Sequence, residues 1–225
     1  MPFVEISLAR GKSGEYLEAV SRAAHDALVA ELHMRPEDKF QLIRERGYGA
    51  TAFSDVLTLS GAPRGSVYFH FPGGKAQLGM EAAEAHAHEQ VEIIDRAAGE
   101  ASSAAQLIER YVDLGREGMV VGNYGRGCGV APLVTEGTAQ ESAELSETSR
   151  RAFSEITDRL VFHFVAFGVD RAAARVLADA VIAGVEGAMI TSRALRSPAP
   201  YDSVRAVLVS YAAIVSPKTA SRTRS

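Results

Sequence analysis

The chain of 225 residues has no tryptophan and a single cysteine, Cys128, so it cannot form an internal disulfide. No uncharged apolar run approaches the roughly 18 residues that a membrane-spanning helix needs. The opening residues, MPFVEISLAR, lack the basic region and apolar run of a secretion signal. These absences predict a protein of the reducing cytoplasm that neither enters a membrane nor depends on a disulfide framework.

Neither sign of charge dominates, since the net charge is −4. This balance argues against a protein that coats nucleic acid non-specifically. The charge is uneven, however: residues 35–80 carry a net charge of +2, and the remainder of the chain carries −6. A locally basic segment on an acidic body is typical of a sequence-specific nucleic-acid binder.

The basic region contains a pattern of two short helices around a tight turn, over residues 44–78, which we call the helix-turn-helix segment. Thr51 is expected to cap the first helix, with its hydroxyl accepting a backbone N–H one turn later. Gly61 suits the end of that helix, and Pro63 suits the first position of the next. The second helix is short and turns polar side chains outward, which suits the major groove of DNA. These side chains are Arg64, Ser66, Tyr68 and His70.

The residues Gly47-Tyr48, Thr51, Gly61 to Phe71, Lys75 and Leu78 resemble the helix-turn-helix of TetR-family transcriptional regulators, although Pro63 stands where that family commonly has Ser or Thr. The resemblance implies that Arg64 and Ser66 lie near base edges and that Tyr68, His70 and Lys75 hold phosphates. The alternative is a pair of core helices without nucleic acid, which poorly explains the alternating run Tyr68 to Phe71. The DNA-binding residues that the resemblance to TetR-family regulators implies are Thr51, Arg64, Gly65, Ser66, Tyr68, His70 and Lys75.

The first 43 residues carry a different pattern. Residues 3–8 alternate as a strand does, and residues 14–32 have the periodicity of a helix capped by Ser13. Together with the stretch that follows as far as Ile43, they resemble the opening β-α-β half of a tautomerase-superfamily subunit. The resemblance implies that Pro2, exposed after removal of Met1, is a general base. An enzyme that uses the Pro2 amine is therefore the alternative function, although the second half of such a subunit has no counterpart here.

The two resemblances conflict at residues 40–43, which would be a strand in a tautomerase and part of a helix in a regulator. Pro36 at a first helical position, acidic residues in the first turn and basic residues in the last turn favour a helix over 36–46. Gly47 is the expected stop. We therefore expect a helix there, which leaves the strand at residues 3–8 without a neighbour.

The remainder of the chain predicts long helices over 75–98, 104–121, 142–167, 171–195 and 201–215. Gly168 is expected to end the third of these helices, and Asp170 to cap the fourth. His86 and His88 are expected to be solvated surface residues, and their spacing is poor for a shared metal. Cys128 is expected to be a buried, small apolar residue.

Residues 127–136, Glu186-Gly187-Ala188, Arg193 and Arg196 to Pro198 resemble the ligand domain of the LmrA-type branch of the TetR family. The expected fold class is therefore all-α, with a short N-terminal β-α extension. We expect a tautomerase-like extension over 1–34, a DNA-binding domain over 35–80, a ligand-binding and dimerisation domain over 81–215, and a disordered tail over 216–225.

These resemblances imply a homodimeric repressor that binds a pseudo-palindromic operator in double-stranded DNA. A small, apolar effector of unknown identity would release it. No metal and no cofactor are expected, and neither is enzymatic activity. The effector pocket is expected to include Tyr111, Met119, Cys128, Phe153 and Phe162.

Overall fold

The computed structural model of the protein describes residues 46–52, 54–55, 71–125, 127–136 and 142–216. Within these ranges the chain is helical and contains no strand, which confirms the all-α fold class. The N-terminal β-α extension and most of the helix-turn-helix segment lie outside the described residues. The helices are α1 (Gly74–Gly99), α2 (Ala104–Val121), α3 (Ala131–Thr135), α4 (Ala143–Ala166), α5 (Arg171–Leu195) and α6 (Ala199–Val215).

Local sequence signals set the ends of these helices. The Ser103 hydroxyl accepts the N–H of Gln106 before α2, and the Asp170 carboxylate accepts backbone N–H groups at the start of α5. Gly168 has φ +87°, in the left-handed region that favours glycine, and it follows the end of α4. The predicted bounds of the five long helices are correct to within two residues. The short helix α3 was not expected, because its five residues are too few for a periodic pattern.

The helices pack around α5, which contacts α2, α4 and α6, while α1 lies along α4. The buried residues of α5 recur at helical spacing and form one face of the helix; they are Ala174, Leu177, Ala178, Val181, Val185, Ala188 and Ser192. α5 and α6 approach closely at Gly184, where a Cβ would lie only 2.9 Å from Val204 Cγ1. The largest side chains that are fully buried include Tyr201, Phe164, Ile94, Leu107 and Ile108.

An ion cluster joins α1 to α4. Asp95 on α1 accepts two hydrogen bonds from Arg159 and lies 2.7 Å from His163 Nε2. The Arg159 guanidinium holds the pKa of the Asp95 carboxyl below its usual value, so Asp95 is ionised at neutral pH. The cluster fixes the long helix α1, whose first turn is the end of the helix-turn-helix segment.

No helix among those described combines the length and the apolar character that a bilayer crossing requires.

Candidate functional site

Two of the expected DNA-binding residues, Thr51 and Lys75, are among the described residues; Arg64, Gly65, Ser66, Tyr68 and His70 lie outside them. Thr51 is buried, and its hydroxyl donates to the Gly47 carbonyl at 2.6 Å. The hydroxyl thereby fixes the turn after the preceding helix. A direct contact between Thr51 and DNA stays a prediction.

That preceding helix ends where the sequence predicts. Arg46 is helical, and Gly47 has φ +86°, the left-handed conformation of a helix stop. Residues 36–45 lie outside the described residues, so the expected helix over 36–46 is seen only at its last position.

Lys75 lies in the first turn of α1. Its Nζ donates to the Gly49 carbonyl at 3.2 Å and lies 4.4 Å from the centre of the Tyr48 ring, a cation–π contact. An ammonium group has three donors. Lys75 can therefore hold the 47–49 turn and still offer a donor to a phosphate, and the N-terminus of α1 also favours an anion.

The ring of Tyr48 is seated on α1. Tyr48 is buried, and a Cβ on Gly79 would lie 2.6 Å from Tyr48 Cε2 and 3.0 Å from Cδ2. Glycine at position 79 therefore lets the aromatic ring lie directly against the helix backbone. This contact, together with Lys75, fixes the start of the helix-turn-helix segment on α1.

A second contact reaches the same turn from α3. The carboxylate of Glu136, which follows α3 directly, accepts the backbone N–H of Gly49. A Cβ on Gly49 would lie 2.8 Å from the Glu136 carboxylate, and one on Gly47 would overlap it. The helix-turn-helix segment is thus held at one turn by both α1 and α3.

The helices α1 to α6, which together we call the body, enclose a cavity of about 30 Å³ between α1, α2, α4 and α5. Such a volume holds one or two water molecules. Five lining residues are apolar and four are polar. The lining residues are Phe153, Ile156, Ile182, Val185, Met189, His86, Gln90, Tyr111 and Glu186.

The polar lining residues and Cys128 form what we call the polar cluster: His86, Gln90, Tyr111, Cys128 and Glu186. The Tyr111 hydroxyl donates to Gln90 Oε1 at 2.9 Å, and Cys128 Sγ lies 3.6 Å from His86 Nε2. Cys128 Sγ also accepts the N–H groups of Val130 and Ala131, at 3.3 Å each. The cluster is therefore joined to the start of α3.

Burial governs the ionisation of this cluster. Desolvation raises the pKa of Cys128 and of Tyr111 far above neutral pH, so both stay protonated. Desolvation also raises the pKa of the Glu186 carboxyl, and a hydrogen bond with Cys128 partly opposes that increase. Cys128 is a buried thiol, as expected, and not an activated nucleophile.

The structure gathers some of the expected pocket residues and not others. Tyr111 and Phe153 line the cavity, and Cys128 contacts its His86. Met119 is buried but is not part of the lining. Phe162 lies away from the cavity: it is 59% exposed, and its ring packs against His163 and Arg159.

Sequence reasoning missed the role of His86. Expected at the surface, it is 7% exposed, whereas His88 is 74% exposed as expected. The burial of His86 comes from the loop before α3, since a Cβ on Gly129 would lie 2.8 Å from His86 Cβ. The helical spacing could have indicated this burial, because His86 lies three residues after Ala83, which faces the core. Within the described ranges, no three metal-ligating side chains cluster.

The raised pKa of Glu186 predicts a stability effect. Between the ordinary glutamate pKa of 4.5 and the raised value, the folded protein keeps a proton that the unfolded chain releases. Stability therefore falls as pH rises through this interval, and the loss persists above it. Glu186→Gln removes this loss of stability. We therefore expect the free energy of unfolding of the variant to increase relative to that of the wild type as pH rises, with no such increase below about pH 4.

Urea unfolding across pH measures this difference. The exposed Glu155 on α4 offers a matched control, because Glu155→Gln makes the same change of charge outside the cavity. Parallel stability curves for the wild type and Glu186→Gln would contradict the assignment of a buried, destabilised carboxylate.

Comparison with known proteins extends these observations. The model for bacterial regulatory proteins of the tetR family matches residues 40–82, and the model for the C-terminal domain of LmrA/YxaF-like transcriptional regulators matches residues 104–207. An HTH-type transcriptional regulator of Mycobacterium tuberculosis is 36% identical over 167 residues, which cover 72% of this chain and 84% of that protein. These matches confirm both regulator resemblances.

A solved structure shares the fold. The crystal structure of a TetR transcriptional regulator from Legionella pneumophila has a TM-score of 0.66 at 20% identity and covers 78% of this chain and 96% of that one. At this identity the similarity shows the fold alone.

The N-terminal resemblance is also confirmed. The tautomerase enzyme model matches residues 2–56, further than Ile43, and overlaps the tetR-family match over 40–56. A probable tautomerase of Bacillus subtilis is 40% identical over 45 residues, which cover 20% of this chain and 35% of that enzyme. The relatives that match most of the chain are regulators and not enzymes. The chain therefore belongs to the TetR family of DNA-binding transcriptional regulators, with an LmrA/YxaF-like C-terminal domain behind a tautomerase-like N-terminal segment.

Proposed function

We propose that the protein is a ligand-responsive repressor. Two copies bind a pseudo-palindromic operator, and a small molecule that enters the cavity of the body releases them. The observation that carries this proposal is that a single helix, α1, contacts both the 47–49 turn of the helix-turn-helix segment and the cavity. Its first turn holds the 47–49 turn through Lys75. His86 and Gln90 on the same helix line the cavity, and Gln90 lies about 22 Å along the helix from Lys75.

The dimer is proposed from the apolar face that α5 and α6 leave uncovered. On α6, Val207, Tyr211 and Ile214 are exposed at helical spacing, and on α5 Val176 and Ile190 are exposed. Two adjacent helices of each subunit can bury these faces against each other as a four-helix interface. A second copy is the occupant that fits, since a two-fold axis places the same apolar face on both sides.

On the operator, the dimer presents two helix-turn-helix segments about 34 Å apart, one turn of DNA. Arg64 and Ser66 contact bases, while Tyr68, His70 and Lys75 contact phosphates. Gly65 allows close approach of the backbone. These roles rest on the family motif and on the position of Lys75 at the start of α1.

The proposed release of DNA is based on the small volume of the cavity. Because about 30 Å³ admits only water, an organic effector has to displace lining residues. Displacement of His86 moves α1 directly, and displacement of Cys128 moves the start of α3, whose far end holds Gly49 through Glu136. To empty a nearly saturated operator, the effector must favour the released state by about 10⁴-fold, or about 5.5 kcal/mol.

Substitutions at Lys75 test the DNA-binding half of this proposal. Lys75→Met keeps the apolar stem over Tyr48 but loses the charge, and we expect it to weaken binding to every duplex and to lower the salt slope by about one. Lys75→Arg is the matched control, which keeps the charge and should keep the slope. Fluorescence anisotropy at several salt concentrations measures both. An unchanged slope in Lys75→Met would assign Lys75 to holding the 47–49 turn alone.

A further inference from the structure

The cavity lining contains an unusual charge pattern. Among the described residues that line it, Glu186 is the single acidic side chain, and there is no lysine or arginine. The two ring nitrogens of the lining residue His86 lie against other groups, Nδ1 at 3.8 Å from Glu89 Oε2 and Nε2 at 3.6 Å from Cys128 Sγ. Elsewhere the body pairs even half-exposed carboxylates with arginines: Asp113 with Arg205, and Asp202 with Arg116. The carboxylate of Glu186, which is partly desolvated by burial, faces the cavity and has no lysine or arginine partner among the described residues.

The neighbours of Glu186 among the described residues include no positively charged group of lysine or arginine type. Cys128 is its hydrogen-bond partner, and a thiol is a weak donor. Next to it along α5 lie Val185 and Met189, which are apolar. An ionised carboxylate in such surroundings loses hydration that the protein does not replace, which is costly.

We propose that the effector is an organic cation with an aromatic or apolar body, whose charged nitrogen pairs with Glu186. This inference rests on the ligand-responsive function proposed above. A cation supplies the missing counter-charge in a poorly solvated site, where an ion pair is stronger than in water. A neutral molecule gains only the apolar contacts, and an anion is repelled.

The other lining residues fit the same class of ligand. Tyr111 and Phe153 provide aromatic rings that attract a cation and pack against a planar body. Gln90 holds the Tyr111 hydroxyl, so the ring is oriented before the ligand arrives. Met189 and Ile182 lie on α5 near Glu186, and a flexible methionine can move to enlarge the cavity.

Isothermal titration of the full chain with three isosteric probes tests this inference. The probes are 2-naphthylmethylamine, which is cationic at neutral pH, the neutral 2-naphthylmethanol, and the anionic 2-naphthoate. We expect the amine to bind at least about 10-fold more tightly than the alcohol, and the carboxylate to bind most weakly.

Glu186→Gln should reduce the preference for the amine to within about 3-fold, because it removes the charge but keeps the shape. Glu155→Gln, the exposed control on α4, should keep the full preference. The inference is overturned if the alcohol binds as tightly as the amine, if the preference survives in Glu186→Gln, or if none of the probes binds.

Operator release by the same probes separates this inference from the proposed function. If the amine binds through Glu186 without releasing DNA, the cation site stands and the ligand-responsive function fails. If the alcohol releases DNA at a lower concentration than the amine, the regulatory function stands and the cation inference fails.

Discussion

Val207→Glu is expected to convert the proposed dimer to monomers and to weaken operator binding at least about 100-fold. Val207 is 68% exposed in the middle of the apolar face of α6. A two-fold interface would bury the new carboxylate twice, next to its own copy, without a partner. A monomer carries one helix-turn-helix segment and loses the second half-site. Sedimentation velocity and operator anisotropy measure the two effects.

Val121→Glu is the matched control. It makes the same substitution at a valine that is 76% exposed but lies at the end of α2, outside the α5–α6 face. We expect it to leave both the mass and the operator affinity unchanged. A dimeric Val207→Glu protein with full affinity would show that the subunits associate through another surface.

Gly79→Ala is expected to weaken operator binding by about 10-fold or more while the helical body stays folded. The added Cβ would lie 2.6 Å from Tyr48 Cε2, so either the ring or α1 must shift. Overpacking of this kind costs about 1–3 kcal/mol, and here it falls on the contact that seats the helix-turn-helix segment. Anisotropy gives the loss of affinity, and circular dichroism reports the folding of the body.

Gly99→Ala provides the comparison on the same helix. A Cβ at Gly99 meets no atom within 4 Å, and alanine is the better helix former. This variant should bind the operator as the wild type does and should unfold at the same or a higher temperature. Equal operator affinity in both variants would contradict the proposed role of the Tyr48 contact.

Helix bounds could be predicted here because the signals that set them are local. Ser103 and Asp170 cap the helices that follow them, and Gly168 adopts the left-handed conformation at the end of another. Each signal acts on residues within one turn, so the sequence alone carries the information. The helix-turn-helix motif is local in the same sense, as is the stop at Gly47.

The cavity could not be predicted in the same way, because it depends on contacts between distant parts of the chain. His86 is buried by the loop around Gly129, and Glu136 reaches Gly49 across 87 residues. The position of Phe162 was predictable in principle. The inward residues Ile156, Leu160 and Phe164 follow helical spacing, and Phe162 is out of phase with them.

For Glu186, the sequence shows a carboxylate in an apolar stretch but does not predict its position at the cavity. Glu186 is the one carboxylate in the otherwise apolar stretch 180–190 of α5, and such a residue is either exposed or in a special position. Only the packing of α1, α2 and α4 around it places the side chain at a cavity with Tyr111 and Phe153. The charge pattern of that lining, and not the fold, carries the inference about the effector.

The most direct test of the account is a titration of the full chain against a labelled palindromic duplex from the DNA that flanks its own gene. At physiological salt we predict half-saturation below about 10⁻⁷ M, at least about 10³-fold tighter than for a scrambled duplex of equal length. We also predict two chains bound per duplex. Equal affinity for the palindromic and the scrambled duplex, or saturation by one chain, would contradict a dimeric, sequence-specific regulator.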